Sequence, residues 1–149
     1  MIDTDILIRL ALALILGGAI GLERRWHGHV AGPHTNGMVA FGAALFVMAG
    51  LVIAGDGASR VLAQVATGVG FLAGGVILRD GLRVQGLNTA ATLWCSAAMG
   101  CIIGLGRMTL AVEATLMVVI GNNVFHWLEH RGNGISKVSQ DVDDMDSRT

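Results

Sequence analysis

The sequence predicts an all-α membrane protein, a polytopic bundle of about five transmembrane helices. Hydrophobic residues make up 53% of the 149 residues and charged residues only 14%, against roughly 25% charged residues in a typical soluble domain. A soluble domain of this size would leave much of its apolar surface in water. The 22 glycines lie mostly inside runs of Leu, Ile, Val and Ala, a composition typical of closely packed membrane helices.

Five apolar segments are long enough to cross a bilayer, which takes about 20 helical residues and no fewer than about 17. They are residues 6–22, 37–54, 61–78, 89–105 and 108–128. None alternates apolar with polar residues, as a membrane β-barrel strand requires. The short segments between them contain Gly, Pro, Asp and Arg, which favour turns. We therefore predict five transmembrane helices within residues 1–131.

The basic residues predict how this bundle is oriented. They follow the first, third and fifth segments: Arg24, Arg25, Arg79, Arg83, Arg131 and Lys137. The other loops contain only Arg60 and Arg107. Since cytoplasmic loops carry the excess of Lys and Arg, the N-terminus is predicted outside and the C-terminus in the cytoplasm. Residues 132–149 are polar and acidic, and we predict that they form a disordered cytoplasmic tail.

Polar residues collect at the predicted cytoplasmic ends of the first four segments. The candidate residues are Glu23, Arg24, Arg25, Thr35, Asn36, Arg79, Asn88, Thr89 and Thr92. They can be interfacial anchors and caps, with Asn88 as a helix N-cap and the two adjacent arginines at anionic lipid headgroups. Alternatively they form a functional pocket or docking surface, in which Glu23 pairs with Arg79 or Arg25. Both interpretations stay open at this point.

Two charged residues lie nearer the outer ends of their helices. Arg9 is in the first segment and Glu113 in the fifth, each less than two turns from the helix end. Because an isolated charge in lipid is costly, such residues either pair or extend toward the interface. An Arg9–Glu113 pair and independent extension of each side chain are both consistent with the sequence.

Small residues repeat every fourth position in three of the segments. The patterns are Gly17 with Gly21, Gly70 with Gly74, and Ser96 with Gly100 and Gly104. Small side chains let helix backbones approach closely. These patterns predict tight packing either within one chain or between copies in a homo-oligomer.

No enzymatic activity, cofactor, metal site or nucleic-acid partner is predicted. Residues 68–73 match a dinucleotide-binding fingerprint, but they lie in an apolar span without the required strand, turn and helix. Residues 126–130 match an inverted zinc-protease motif, but a catalytic zinc needs a third protein ligand and none is obvious. No nucleophile is paired with a base.

Four motifs, in their order and spacing, resemble the membrane domain of the MgtC/SapB family over about residues 10–131. They are Gly21-Leu-Glu-Arg-Arg25, Ala31-Gly-Pro-His-Thr-Asn36, the glycine-rich stretch 68–77 and Gly86-Leu-Asn-Thr-Ala-Ala-Thr-Leu-Trp94. The last is the most specific. Where family members usually read Ala-Gly-Leu-Arg-Thr, this chain has Pro33 and His34, so the loop loses a fixed positive charge and gains a backbone constraint. Better-known members also carry a C-terminal cytoplasmic domain beyond the transmembrane domain, and the role of that domain is not carried over.

The resemblance implies a multi-pass protein of the bacterial inner membrane that supports growth in low magnesium and, in pathogens, survival inside macrophages. Better-known members are regarded as regulators, including inhibitors of the rotary ATP synthase. The expected function is therefore that of a non-enzymatic, virulence-associated regulator that contacts another membrane protein, with the ATP synthase as the partner. The alternative is a transporter or channel for magnesium or another cation. Magnesium prefers carboxylate and water oxygens, and the mid-membrane parts of the segments contain no acidic residue, which weakens this alternative.

Overall fold

The computed structural model of the chain describes residues 3–28, 30–53, 57–80 and 83–146. It contains five helices and one short hairpin: α1 (Thr4–Trp26), α2 (Pro33–Val52), α3 (Gly57–Gly75), β1 (Leu78–Asp80), β2 (Arg83–Gln85), α4 (Leu87–Gly104) and α5 (Met108–Asp146). The residues divide into two compact units, Met1–Val118 and Val119–Thr149. The predicted all-α fold of about five helices is confirmed, whereas the predicted domain boundary at residue 131 stays a prediction.

Four of the helices are long and apolar enough to cross a membrane: α1, α2, α4 and the Met108–Glu129 part of α5. The remaining helix, α3, is 19 residues long, but it carries Arg60 and Gln64 in its first half. It also ends at Gly75, three residues before the end of the predicted segment, because the chain turns there toward the hairpin. A fifth span through α3 is therefore a proposal, while the chain as a whole is a membrane protein.

The β-hairpin after α3 was not predicted from the sequence. Its strands are antiparallel, with Arg79 opposite Val84. Gly86, which follows the hairpin, has a φ of +90° and is the N-cap of α4. A Cβ at this position would collide with the carbonyl group of Val76, so both the left-handed backbone and the close approach require glycine. The cap predicted at Asn88 is wrong, since Asn88 lies inside the first turn of α4 and is exposed.

The packing of α1 against α2 depends on two glycines of α1. An ideal Cβ at Gly17 would lie 2.6 Å from the carbonyl oxygen of Asn36 and 2.8 Å from the Cβ of Ala40. At Gly21 it would collide with the carbonyl group of Gly32. Any larger side chain would push the helices apart. The predicted packing through Gly17 and Gly21 is confirmed within the chain.

Glycines of α4 give α2 a second close neighbour. A Cβ at Gly100 would collide with the carbonyl oxygen of Ala40, and one at Gly104 would lie 2.8 Å from the carbonyl oxygen of Ala44. The contacts advance together along both helices, so α2 and α4 run parallel. Small buried residues of α2, α3 and α4 then form one apolar cluster: Ala43, Val47, Val69, Ala97 and Cys101. The backbones of α2 and α4 are therefore in direct contact in the middle of the bundle.

The third small-residue pattern behaves differently. Apart from the neighbouring backbone of α3 itself, no described atom lies within 4 Å of an ideal Cβ at Gly70 or Gly74, and the neighbouring Phe71 is 85% exposed. This face of α3 is open in the described part of the single chain. The predicted packing of this pair between copies stays a prediction.

Local side-chain contacts occur within the Val119–Thr149 unit. The guanidinium group of Arg131 lies 4.7 Å from the ring centroid of Trp127, a cation–π contact of the kind that aromatic residues make near membrane interfaces. Asn123 donates a hydrogen bond to the carbonyl oxygen of Val119 at 2.8 Å, which satisfies its amide within its own helix.

Candidate functional site

The predicted polar residues meet at one end of the Met1–Val118 unit. Gly21 of α1 lies against Gly32 and Pro33, and the end of α2 lies against the start of α3 through Gly50 and Gly57. Since α2 and α4 are parallel, α1 and α3 end where α2 and α4 begin. We call this the polar end. It contains the final turn of α1, the loop to α2, the β-hairpin and the first turns of α4.

The residues predicted for the site fall into a buried set and an exposed set. The buried set is Glu23, Arg24, Asn36, Thr89 and Thr92, each no more than 5% exposed. The exposed set is Arg25, Thr35, Arg79 and Asn88. Burying polar groups at a membrane protein's helix ends is costly unless they are hydrogen-bonded. The two sets therefore have different physical roles, the first inside the bundle and the second on its surface.

Asn36 of the buried set bonds to two different parts of the chain, and none of its surface is exposed. Its side-chain nitrogen donates hydrogen bonds of 3.1 Å to the carbonyl oxygens of Ala31 and Gly32. Its side-chain oxygen accepts a 2.8 Å hydrogen bond from the hydroxyl of Ser96. Both donor hydrogens of the amide are thus used. The side chain links the α1–α2 loop to α4.

Two further polar side chains of α4, those of Thr89 and Thr92, lie between Ser96 and the start of the helix. The hydroxyl of Thr92 donates a 2.8 Å hydrogen bond to the carbonyl oxygen of Asn88, and Thr89 is 5% exposed. Asn88, Thr92 and Ser96 follow one another at intervals of four residues, so they share one face of the helix over about 12 Å. This face runs from the surface at Asn88 to the buried amide of Asn36.

Glu23 is paired with His27 at the end of α1. The carboxylate oxygen Oε1 of Glu23 lies 3.0 Å from Nδ1 of His27, which also lies 2.9 Å from the carbonyl oxygen of Glu23. Helical neighbours four residues apart are placed for such a contact. The pairing of Glu23 with Arg79 or Arg25 stays a prediction. Glu23 and its neighbour Arg24 are both 5% exposed.

Two residues of the exposed set, Arg25 and Thr35, line an open cavity beside the start of α2. Its volume is about 460 Å³, and it is lined by Arg25, Val30, Gly32, Pro33, His34 and Thr35. The two positions at which the chain departs from the usual family loop thus both line this cavity. Arg25 comes from a different helix, and its side chain lies 3.8 Å from where a Cβ of Gly32 would be.

Arg9, near the opposite end of α1, lies beside Asp5 of the same helix. The distance from Nη2 of Arg9 to Oδ2 of Asp5 is 2.6 Å. The same guanidinium packs against Gly106, where its Nη1 lies 3.1 Å from the position that a Cβ would occupy. Glu113 is exposed. The Arg9–Glu113 pair stays a prediction, and the contact of Arg9 with Asp5 was not predicted.

Two residues of the site were missed. Ser96 was predicted only as a small packing residue, although a hydroxyl in an apolar span must find a hydrogen-bond acceptor. A second hydroxyl residue, Thr92, lies four residues earlier on the same face of α4. His27 was not predicted as a partner of Glu23, although it lies four residues after it. Among the described residues, no three His, Cys, Asp or Glu side chains are grouped as a metal ion would require.

Comparison with known proteins adds an independent line of evidence. The model of the MgtC family matches residues 10–131. The chain is 46% identical over 116 residues to Protein MgtC of Salmonella typhimurium and 48% identical over 114 residues to Protein MgtC of Brucella abortus. It is 51% identical over 117 residues to an uncharacterized protein of Synechocystis. These matches cover 76–78% of the chain but 48–50% of each relative, so the chain spans about half the length of these relatives. No solved structure matches it significantly.

Proposed function

The chain belongs to the MgtC family, and from this premise we propose that it is a non-enzymatic regulator in the bacterial inner membrane. It acts by presenting the exposed residues of its polar end to another membrane complex, for which the rotary ATP synthase is the leading candidate. The proposed role is to support growth in low magnesium and survival inside host cells. All of these roles rest on the family and on the site described above.

One observation carries this proposal. At the polar end, the buried side chains of Asn36 and Thr92 are hydrogen-bonded within the protein, and that of Glu23 contacts His27. The exposed residues lie on four separate elements: Arg25, Thr35, Arg79 and Asn88. Buried groups with satisfied hydrogen bonds stabilise a fixed arrangement of helices. Exposed polar residues on a rigid frame are what a recognition surface requires. The polar end is therefore suited to docking.

The interior between α2 and α4 favours a scaffold over a conduit. The helices are in backbone contact at Gly100 and Ala40, and again at Gly104 and Ala44. An ion path between them would require these contacts to open. Glu23, the acidic residue of the buried set, already contacts His27 at 3.0 Å.

We also propose that the polar end faces the cytoplasm and that α3 provides a fifth span. Arg24, Arg25 and Arg79 lie at this end, while Arg60 and Arg107 lie at the other. The excess of basic residues on the cytoplasmic side sets this orientation. At 19 residues, α3 is about 28 Å long, close to the thickness of the hydrocarbon core.

The test combines two measurements on the purified protein in liposomes. In the first, it is co-reconstituted with purified ATP synthase, and proton pumping driven by ATP is recorded. We expect the wild type to inhibit pumping and Arg79→Gln and Asn88→Ala to inhibit it less. Arg107→Gln, which removes an exposed arginine from the opposite end, is the matched control and should behave as the wild type.

The second measurement uses liposomes that contain the protein alone and a magnesium-sensitive dye. The proposal predicts no flux above that of empty liposomes. Robust magnesium flux that is lost in Asn88→Ala would overturn it in favour of a transporter. Equal inhibition of the ATP synthase by all three variants would show that the polar end is not the docking surface.

A further inference from the structure

Asn36 has an arrangement of hydrogen bonds that helix packing alone does not require. It lies in the first turn and a half of α2, where an asparagine side chain usually bonds to its own helix end or to water. Here one donor bonds to the carbonyl oxygen of Gly32, the N-cap of α2, and the other reaches beyond the helix end to the loop carbonyl of Ala31. The acceptor reaches sideways to Ser96 on α4. One amide therefore connects two elements that are 60 residues apart in sequence.

The loop needs this connection because its backbone is buried. Ala31 is only 5% exposed, and a buried carbonyl group without a partner is costly. The side chain of Asn36 supplies that partner, so the position of the loop depends on the position of this amide. The backbone of Asn36 is fixed in turn, since its carbonyl oxygen lies 2.6 Å from where a Cβ of Gly17 would be.

The connection reaches the surface on both sides. On the loop side, Thr35 and Arg25 are exposed beside the cavity at the start of α2. On the α4 side, Ser96 lies two turns from the exposed Asn88, with the Thr92–Asn88 hydrogen bond between them. A buried hydrogen bond thus links the two parts of the exposed set.

We propose that Asn36 is a positioning residue that holds the α1–α2 loop at a fixed place on α4, and that Ser96 is its partner. This inference rests on the proposed docking function of the polar end. It adds that two residues with no exposed surface control the spacing of the residues that a partner contacts. Losing the hydrogen bond between them loosens the loop while the bundle stays folded.

The first experiment measures hydrogen–deuterium exchange in nanodiscs, without any partner. Ser96→Ala should raise the exchange of the backbone amides in residues 31–37 about threefold, the change expected for one interhelical hydrogen bond in a membrane protein. Asn36→Ala should raise it further, because it also removes the side-chain bonds to the carbonyl oxygens of Ala31 and Gly32. In the Asn36→Ala background, adding Ser96→Ala should have no further effect, since the shared bond is already gone.

Thr115→Val is the matched control. Thr115 is 5% exposed, and its hydroxyl donates to the sulfur of Met99 at 2.7 Å and to the carbonyl oxygen of Ala111 at 2.8 Å. The substitution therefore also removes a buried hydroxyl from the bundle. It should leave exchange in residues 31–37 unchanged. Unchanged exchange in Ser96→Ala, or equal increases in Ser96→Ala and Thr115→Val, would overturn the proposal.

The second experiment repeats the ATP synthase assay with the same variants, at equal amounts of folded protein. The expected result is weaker inhibition by Ser96→Ala and normal inhibition by Thr115→Val. If Ser96→Ala shows faster hydrogen–deuterium exchange in residues 31–37 but still inhibits the ATP synthase fully, the positioning role is overturned. If the wild type itself gives no inhibition, the proposed function fails, while the exchange data still decide whether Asn36 and Ser96 hold the loop.

Discussion

The contact between α2 and α4 at Gly100 gives a quantitative prediction. A Cβ at this position would collide with the carbonyl oxygen of Ala40, and it would lie 2.8 Å from the carbonyl carbon and 2.9 Å from the Cα of the same residue. All three atoms belong to the backbone, so no side chain can rotate away. To restore ordinary van der Waals contact with that oxygen, Gly100→Ala must separate the two helices by about 1 Å.

The expected loss of stability follows from that separation. Overpacking of one methyl group costs about 1–3 kcal/mol, and a rigid backbone neighbour favours the upper half of this range. Alanine offsets about 1 kcal/mol of this loss in the free energy of unfolding, because it is a better helix former than glycine. We expect Gly100→Ala to lower the free energy of unfolding by about 1–2 kcal/mol.

Gly70→Ala is the matched control on α3. Apart from the neighbouring backbone of α3 itself, no described atom lies within 4 Å of its ideal Cβ, so only the gain in helix propensity applies, up to about 1 kcal/mol. The measurement is equilibrium unfolding in mixed detergent micelles, followed by circular dichroism. If Gly100→Ala is as stable as Gly70→Ala, the close approach of α2 and α4 is not what holds them together, and the reasoning is refuted.

Three other predictions use separate parts of the chain. Gly86→Ala should lower the free energy of unfolding by about 2 kcal/mol or more, because alanine would have to adopt a left-handed backbone and its Cβ would collide with the carbonyl group of Val76. An unchanged melting temperature would contradict this prediction. Replacing His27 by alanine removes a contact of 3.0 Å to the buried carboxylate of Glu23 and should cost about 1 kcal/mol in the same unfolding assay; no loss would mean that the contact does not stabilise the fold. In a cysteine-free background, a cysteine at Val30, which is 93% exposed, should react with a membrane-impermeant thiol reagent in inside-out vesicles, and one at Arg107 only in right-side-out vesicles; the reverse pattern would invert the proposed orientation.

The sequence predicted the helices well where hydrophobicity alone defines them. α1, α2, α4 and the apolar part of α5 each match a predicted segment, because spanning a bilayer requires a long apolar run. The third segment was less well defined. Residues 76–78 continue its apolar run, yet the helix ends at Gly75 and the chain enters a hairpin. Apolarity does not distinguish the end of a helix from a short strand.

The site was predicted as a group but not as an arrangement. All nine candidate residues lie at or near the polar end, because the order of the segments brings those helix ends together. Sequence could not separate the buried Asn36 from the exposed Thr35 beside it. That difference depends on which face of α2 meets α4, and both neighbours are polar residues at the same depth.

The sequence by itself determined that the chain is a helical membrane protein of this family with polar residues at its helix ends, because length, apolarity and motif order are local properties of the chain. Only the tertiary structure decided that Gly17 and Gly100 bring α1 and α4 against α2, and that Gly70 does not bring α3 against a described neighbour. Only it paired Asn36 with Ser96 and Glu23 with His27. A small residue permits close approach and a polar residue requires a partner, but which neighbour meets each is fixed by the packing of whole helices.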